Sequence, residues 1–96
     1  MDPNSLLKSR REEILRVAAR HGARNVRLFG SVARGEAGEK SDIDLLVEFE
    51  PGRSLLDHAG LMVELEELLG RKVDVVSEQS LYWLIRRRIL KEARPL

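Results

Sequence analysis

Ninety-six residues suffice for one modest hydrophobic core and are too few for a catalytic domain plus a separate substrate-recognition domain, so one domain is expected. Charged residues make up 34% of the chain but balance to a net charge of +1, which excludes a global electrostatic drive toward nucleic acid or an anionic membrane. The absence of cysteine excludes a disulfide scaffold, a Cys-based zinc site and thiol catalysis, and with no apolar leader or span in view the expected location is cytoplasmic.

Asn4 or Ser5 can cap a first helix reaching His21, with Leu7, Ile14, Val17 and Ala18 on one side and the charged segment 10–13 turned outward. Gly22 ends it, and His21 falls in its last turn, where the helix dipole favours a protonated ring. Residues 26–29 form a short apolar strand. Gly30 follows directly and lets the backbone turn sharply, and Ser31 adds a hydroxyl where a short helix over 32–34 begins. Backbone N–H groups at such a turn suit phosphate.

Ten residues separate Ser31 from Asp42, enough to leave the turn, pass Arg34, Gly35 and Gly38, and return to the sheet in a second strand over 42–48. Alternation along that strand puts Asp42 and Asp44 on one face and Ile43, Leu45, Val47 and Phe49 on the other. Two carboxylates so close repel and raise each other's pKa unless a cation lies between them. Oxygen-only ligands with no Cys or His nearby favour a hard ion, Mg²⁺ or Mn²⁺.

Pro51 and Gly52 break the chain after this strand. Ser54 followed by Asp57 forms a capping box that opens a helix to Leu69, stopped by Gly70. Its predicted buried stripe is Leu55, Ala59, Met62, Leu65 and Leu69, with Glu64, Glu66 and Glu67 outward and His58 at the surface. The third strand spans 72–76, with Asp74 flipped relative to Val73 and Val75. Periodicity leaves two placements for Asp74, a solvent-facing strand edge or the face that carries Asp42 and Asp44.

A last helix starts within 77–80 and runs to about Ala93, with Leu81, Ile85 and Ile89 as a stripe toward the sheet and Tyr82 and Ala93 at its margin. Trp83 and Leu90 lie on nearly the opposite side beside Arg87, the composition of an interface anchor for a partner or a second copy of the chain. Arg86, Arg87, Arg88, Lys91 and Arg94 spread around the helix, which reads as a solvated face, and no nucleic-acid partner is expected. The alternating order gives an α+β fold, a small mixed three- to four-stranded sheet flanked by helices.

Gly30-Ser31, ten residues, then Asp42-Ile43-Asp44, with Arg34-Gly35 and Ser41 inside, resembles the active-site signature of the polymerase-beta-like nucleotidyltransferases. It is most similar to the minimal nucleotidyltransferase subfamily, small proteins that partner HEPN-domain proteins in toxin–antitoxin pairs. The resemblance implies a single nucleotidyltransferase domain over 1–96, in which Asp42 and Asp44 bridge two Mg²⁺ ions. It also implies that Asp74 is the third carboxylate, ligating the catalytic metal and helping to deprotonate the acceptor hydroxyl. Gly30 and Ser31 would then hold the β- and γ-phosphates of ATP.

Arg34 is open between the triphosphate and a carboxylate at the rim, and Ser41 between phosphate and capping of the strand entry. The implied activity is transfer of AMP from ATP to a tyrosine of the cognate HEPN toxin. The alternative is a non-catalytic antitoxin that only covers its partner. Clustered carboxylates argue for catalysis, because covering a partner does not require them. Aminoglycosides and nucleic-acid ends, acceptors elsewhere in the superfamily, rank lower because the chain has no added domain to hold them.

Overall fold

In the computed structural model, which describes residues 2–38 and 40–96, the chain runs α1 (Pro3–Ser9), α2 (Arg11–Arg20), β1 (Ala23–Phe29), α3 (Gly30–Ala33) and β2 (Ile43–Phe49). It continues with α4 (Leu55–Leu69), β3 (Val73–Ser77), a 3-10 turn (Glu78–Ser80), α5 (Trp83–Glu92) and β4 (Arg94–Pro95). The four strands form one mixed sheet in the order β3-β2-β1-β4. β1 is antiparallel to both its neighbours, while β2 and β3 run parallel through the α4 crossover. This is the expected α+β architecture. No helix among the described residues is long and apolar enough to cross a membrane.

One face of the sheet makes the core. Ile43, Leu45 and Val47 of β2, Val73 and Val75 of β3, and Val26 and Leu28 of β1 pack with Ile14, Val17 and Ala18 of α2 and with Leu61, Leu65 and Leu69 of α4. Each fully buried aliphatic side chain stabilises by about 1.5–3 kcal/mol, so this packing fixes the register of β2. A slip of one residue would drive Asp44 into the core and Ile43 out of it. The core thereby forces the aspartates onto the opposite face. Leu46, on that opposite face, is also fully buried but lies outside the core cluster.

Several boundaries differ from the sequence reading. The single helix expected over 4–21 is broken at Arg10, which is both the C-cap of α1 and the N-cap of α2. Its cap is neither Asn4 nor Ser5 but Asp2, whose carboxylate accepts from the Ser5 N–H at 3.0 Å, with Pro3 in the first turn. β1 begins three residues earlier than Val26, because Ala23 and Arg24 already pair with Phe49 and Glu48 before a bulge between Arg24 and Arg27, where Asn25 has φ 51°.

On α4 the capping box and the left-handed Gly70 stop form as expected, but the buried stripe is Leu61, Leu65 and Leu69. Met62 is only half-buried, Ala59 is exposed and Leu55 is 84% exposed. Glu64 and Glu66 are not simply outward: Glu64 bonds Arg20 and His21, and Glu66 accepts from the Val73 N–H at 3.1 Å. His21 packs over Gly60, where a Cβ would fall 2.8 Å from the ring, with its Nε2 2.8 Å from Glu64 Oε1. His58 is half-buried rather than at the surface, bonded through Nε2 to the Val75 carbonyl and stacked on Phe49.

The largest departure is at the C-terminus. Residues 78–80 form a 3-10 turn, Leu81 and Tyr82 are extended, and α5 starts only at Trp83 and buries no residue completely. Its expected sheet-facing stripe is incomplete, since Ile85 is 49% exposed and Tyr82 is exposed. The chain then pairs with the free edge of β1, an edge position that tolerates Pro95.

Candidate active site

β2 and β3 are parallel neighbours, and Asp44 is the register partner of Asp74. Adjacent strands lie about 4.8 Å apart, so two side chains leaving the same face at matched positions are neighbours. Asp74 therefore shares the face of Asp44, which decides between the two placements left open by periodicity. Asp42, immediately before β2, is exposed at the entry to the strand, while Asp44 and Asp74 are half-buried.

On the other side, Asp44 is paired with Phe29 of β1, so Gly30 comes next to its carboxylate. Gly30 has φ 75°, and a Cβ built there would fall 2.2 Å from Asp44 Oδ2. Only glycine fits for two reasons, the left-handed backbone and the carboxylate already in the space. The turn itself is held from below by Val32, which is fully buried, and by N–H bonds from Arg34 and Glu36 to the carbonyls of Gly30 and Ser31. Ser31, half-buried, is thus presented at the edge of the same face.

Burial raises the Asp44 pKa above the ordinary carboxylate value, and the charges of Asp74 and then Asp42 raise it further, with Arg34 acting in the opposite direction. Negative charge is concentrated at one point of the sheet. Among the described residues no three His, Cys, Asp or Glu side chains are already drawn into a cage that could hold a metal ion. The donor set nonetheless suits a hard divalent cation, because it is oxygen-only and the charged form of its central member is disfavoured by burial and by two neighbouring carboxylates.

Arg34 lies on two carboxylates at the rim: its Nε donates to Glu36 at 3.1 Å and a terminal nitrogen donates to Glu92 at 2.6 Å. Ser41 closes the turn before β2, its hydroxyl accepting from the Gly38 N–H at 2.9 Å and its carbonyl from Arg71 at 3.3 Å. Position 39 of that loop lies outside the described residues. Of the cationic run on α5, Arg86 bonds Glu78 while Arg87 and Arg88 are exposed, as expected of a solvated face.

Glu92 was not foreseen among the site residues. It is the sole acid in α5 and stands at the helix C-terminus, where the dipole disfavours negative charge. Its carboxylate reaches the Gly30 N–H at 3.1 Å as well as Arg34. These contacts, Arg34 first, hold its pKa below the ordinary value. A lone acid in an unfavourable helix position was the signal available in the sequence.

The sequence model of the nucleotidyltransferase domain family matches residues 11–96, and the chain belongs to that family. Within it the chain is a minimal nucleotidyltransferase. A solved minimal nucleotidyltransferase is 59% identical, with a TM-score of 0.88, over 100% of this chain and 97% of that one. The protein adenylyltransferase MntA of Thermococcus cleftensis is 43% identical over 88 residues, covering 92% of this chain and 86% of the relative. A crystal structure of a toxin–antitoxin with AMP-PNP has the same fold, at 21% identity and a TM-score of 0.76 over 88% of this chain and 69% of that one.

Proposed function

We propose that the chain transfers AMP from ATP to the hydroxyl of a tyrosine on a HEPN-domain toxin, in a Mg²⁺-dependent reaction that silences the toxin. The observation that carries this reading is the placement of Asp44 between Asp74 on β3 and the Gly30 turn on β1. Acidic face and phosphate turn meet at one side chain. Kinship with a protein adenylyltransferase supports an adenylyl donor and a protein acceptor, and the fold is shared with a toxin–antitoxin protein solved with AMP-PNP.

Asp42, Asp44 and Asp74 would hold two Mg²⁺ ions, which when bound neutralise charge on the entering and leaving oxygens of an in-line displacement. The Gly30 turn and the Ser31 hydroxyl receive the β- and γ-phosphates, leaving the α-phosphorus over the aspartates. Arg34, and Ser41 at the strand entry, stand at the rim, where Arg34 gains a phosphate partner in place of Glu36 and Glu92. Asp74 accepts the proton as the acceptor oxygen bonds to the α-phosphorus. The α–β phosphoanhydride bond breaks, and pyrophosphate leaves from the Gly30 side.

Transfer to a protein acceptor requires a docking face. Tyr82, Trp83, Leu84 and Ile85 are large apolar side chains exposed together at the start of α5, Trp83 by 77%. Trp83 is exposed as the interface reading requires, while Leu90 is half-buried and contributes at the margin. The same face would serve a purely covering antitoxin or a second copy of the chain. Reaction class is tested with ATP labelled at the α- or the γ-phosphate, Mg²⁺ and a purified HEPN-domain protein. Transfer of α-label to a tyrosine supports the proposal. Transfer of γ-label alone, or tight complex formation without either label, would replace it with a kinase or a covering antitoxin.

A further inference from the structure

We infer that Glu92 is an intramolecular occupant of the phosphate seat, and that nucleotide enters by displacing it. The inference rests on the proposed reading of the Gly30 turn as that seat. One oxygen of Glu92 accepts from the Gly30 N–H at 3.1 Å and the other from Arg34 at 2.6 Å. A carboxylate bridging a backbone N–H and a guanidinium makes the contacts of a phosphate oxygen pair. Both donors are the ones an incoming triphosphate would use, so carboxylate and phosphate exclude each other.

The position of Glu92 is otherwise unfavourable. It ends α5 with negative charge at the negative pole of the helix, and it adds its charge to those that raise the Asp44 pKa. What holds it is the seat. Its side chain is 18% exposed, compared with 65% for Glu36, the other acid on Arg34. α5 buries no residue completely, so its C-terminal turn is fixed largely by this contact and by the β4 pairing that follows.

A ligand that binds only the open form sees its affinity reduced by the fraction of molecules that are open. Glutamine at position 92 keeps the shape but removes the charge and one acceptor, so its single carbonyl oxygen can serve the Gly30 N–H or Arg34 while the amide nitrogen faces the other donor. The open fraction should rise, and apparent affinity with it, by about three- to tenfold. The experiment is calorimetric titration of the full chain with MgATP for wild type, Glu92→Gln and Glu36→Gln. Glu36→Gln removes the same charge beside Arg34 without touching Gly30.

Tighter binding by Glu92→Gln, exceeding any gain in Glu36→Gln, supports the occupant. An equal gain in both reduces Glu92 to a general charge effect, and weaker binding by Glu92→Gln makes it a positioning residue for Arg34; either overturns the inference while leaving the seat intact. Absence of MgATP binding in all three folded proteins overturns the seat itself. Circular dichroism of Glu92→Gln and Glu36→Gln establishes that both titrated variants are folded.

Discussion

Gly30→Ala tests the junction between the Gly30 turn, proposed as the phosphate seat, and the acidic face. The residue has φ 75°, and an L side chain in the left-handed region costs about 1–2 kcal/mol. The added Cβ would stand 2.2 Å from Asp44 Oδ2, 3.0 Å from its Cγ and 3.2 Å from its Cβ. The nearest atom is the tip of a flexible side chain, so the carboxylate turns aside and the steric part adds little to the backbone cost. At about 4–8 °C per kcal/mol for a domain of this size, the melting temperature falls by roughly 4–16 °C.

Transfer suffers more, because moving the carboxylate proposed to hold metal by about 1 Å costs on the order of 100-fold. Gly52→Ala is the control: φ is 88°, nothing lies within 4 Å of its Cβ, and only the backbone cost applies. Thermal melts followed by α-label transfer below both transitions separate the two terms. Gly30→Ala with wild-type transfer would refute the claim that the glycine is there to make room for Asp44.

The raised pKa of Asp44 means that the folded chain holds this proton more tightly than the unfolded chain. Stability contributed by the protonated form is therefore lost as pH rises from the ordinary value of 3.8 through the raised one. Asp44→Asn should accordingly melt at or above wild type at pH 7 in chelator, with the advantage shrinking toward pH 4. Mg²⁺ should raise the wild-type melt and not that of the variant; a variant that melts well below wild type at pH 7 in chelator contradicts this. Asp74→Asn should lose most transfer yet keep MgATP binding better than Asp42→Asn, measured by parallel titrations. Trp83→Ala should leave melting within about 0.5 kcal/mol of wild type, as for an exposed side chain, and abolish co-elution with the HEPN partner on size exclusion. A large melting loss would place Trp83 in a structural role instead.

What was legible in the sequence was chemistry local to a few residues. The alternation of Asp42 to Val47 determined which face of β2 is buried, and Ser54, Asp57 and Gly70 marked both ends of α4. The break at Arg10 was obscured because nothing apolar or Gly/Pro marks it, although Asp2-Pro3 announced the cap. The Asn25 bulge reads as polar loop, since period two fails where an extra residue is inserted. The stripes on α4 and α5 are met only in part, with Leu65 and Leu69 buried but Leu55, Ala59 and Ile85 exposed, because periodicity shows which residues share a face and not which face the sheet covers. Glu92 could be located only once β4 returned the C-terminus to the edge of β1 beside the Gly30 turn.

Equilibrium titration with ATP, with Mg²⁺ and then with chelator, tests the metal-nucleotide site most directly because it requires no acceptor. Three carboxylates repel a triphosphate until cations intervene, so wild type should bind clearly with Mg²⁺ and weakly without it, and Asp44→Asn should lose the difference. Equal affinity in chelator and in Mg²⁺, or a Mg²⁺ effect unchanged by Asp44→Asn, would contradict the assignment of this face.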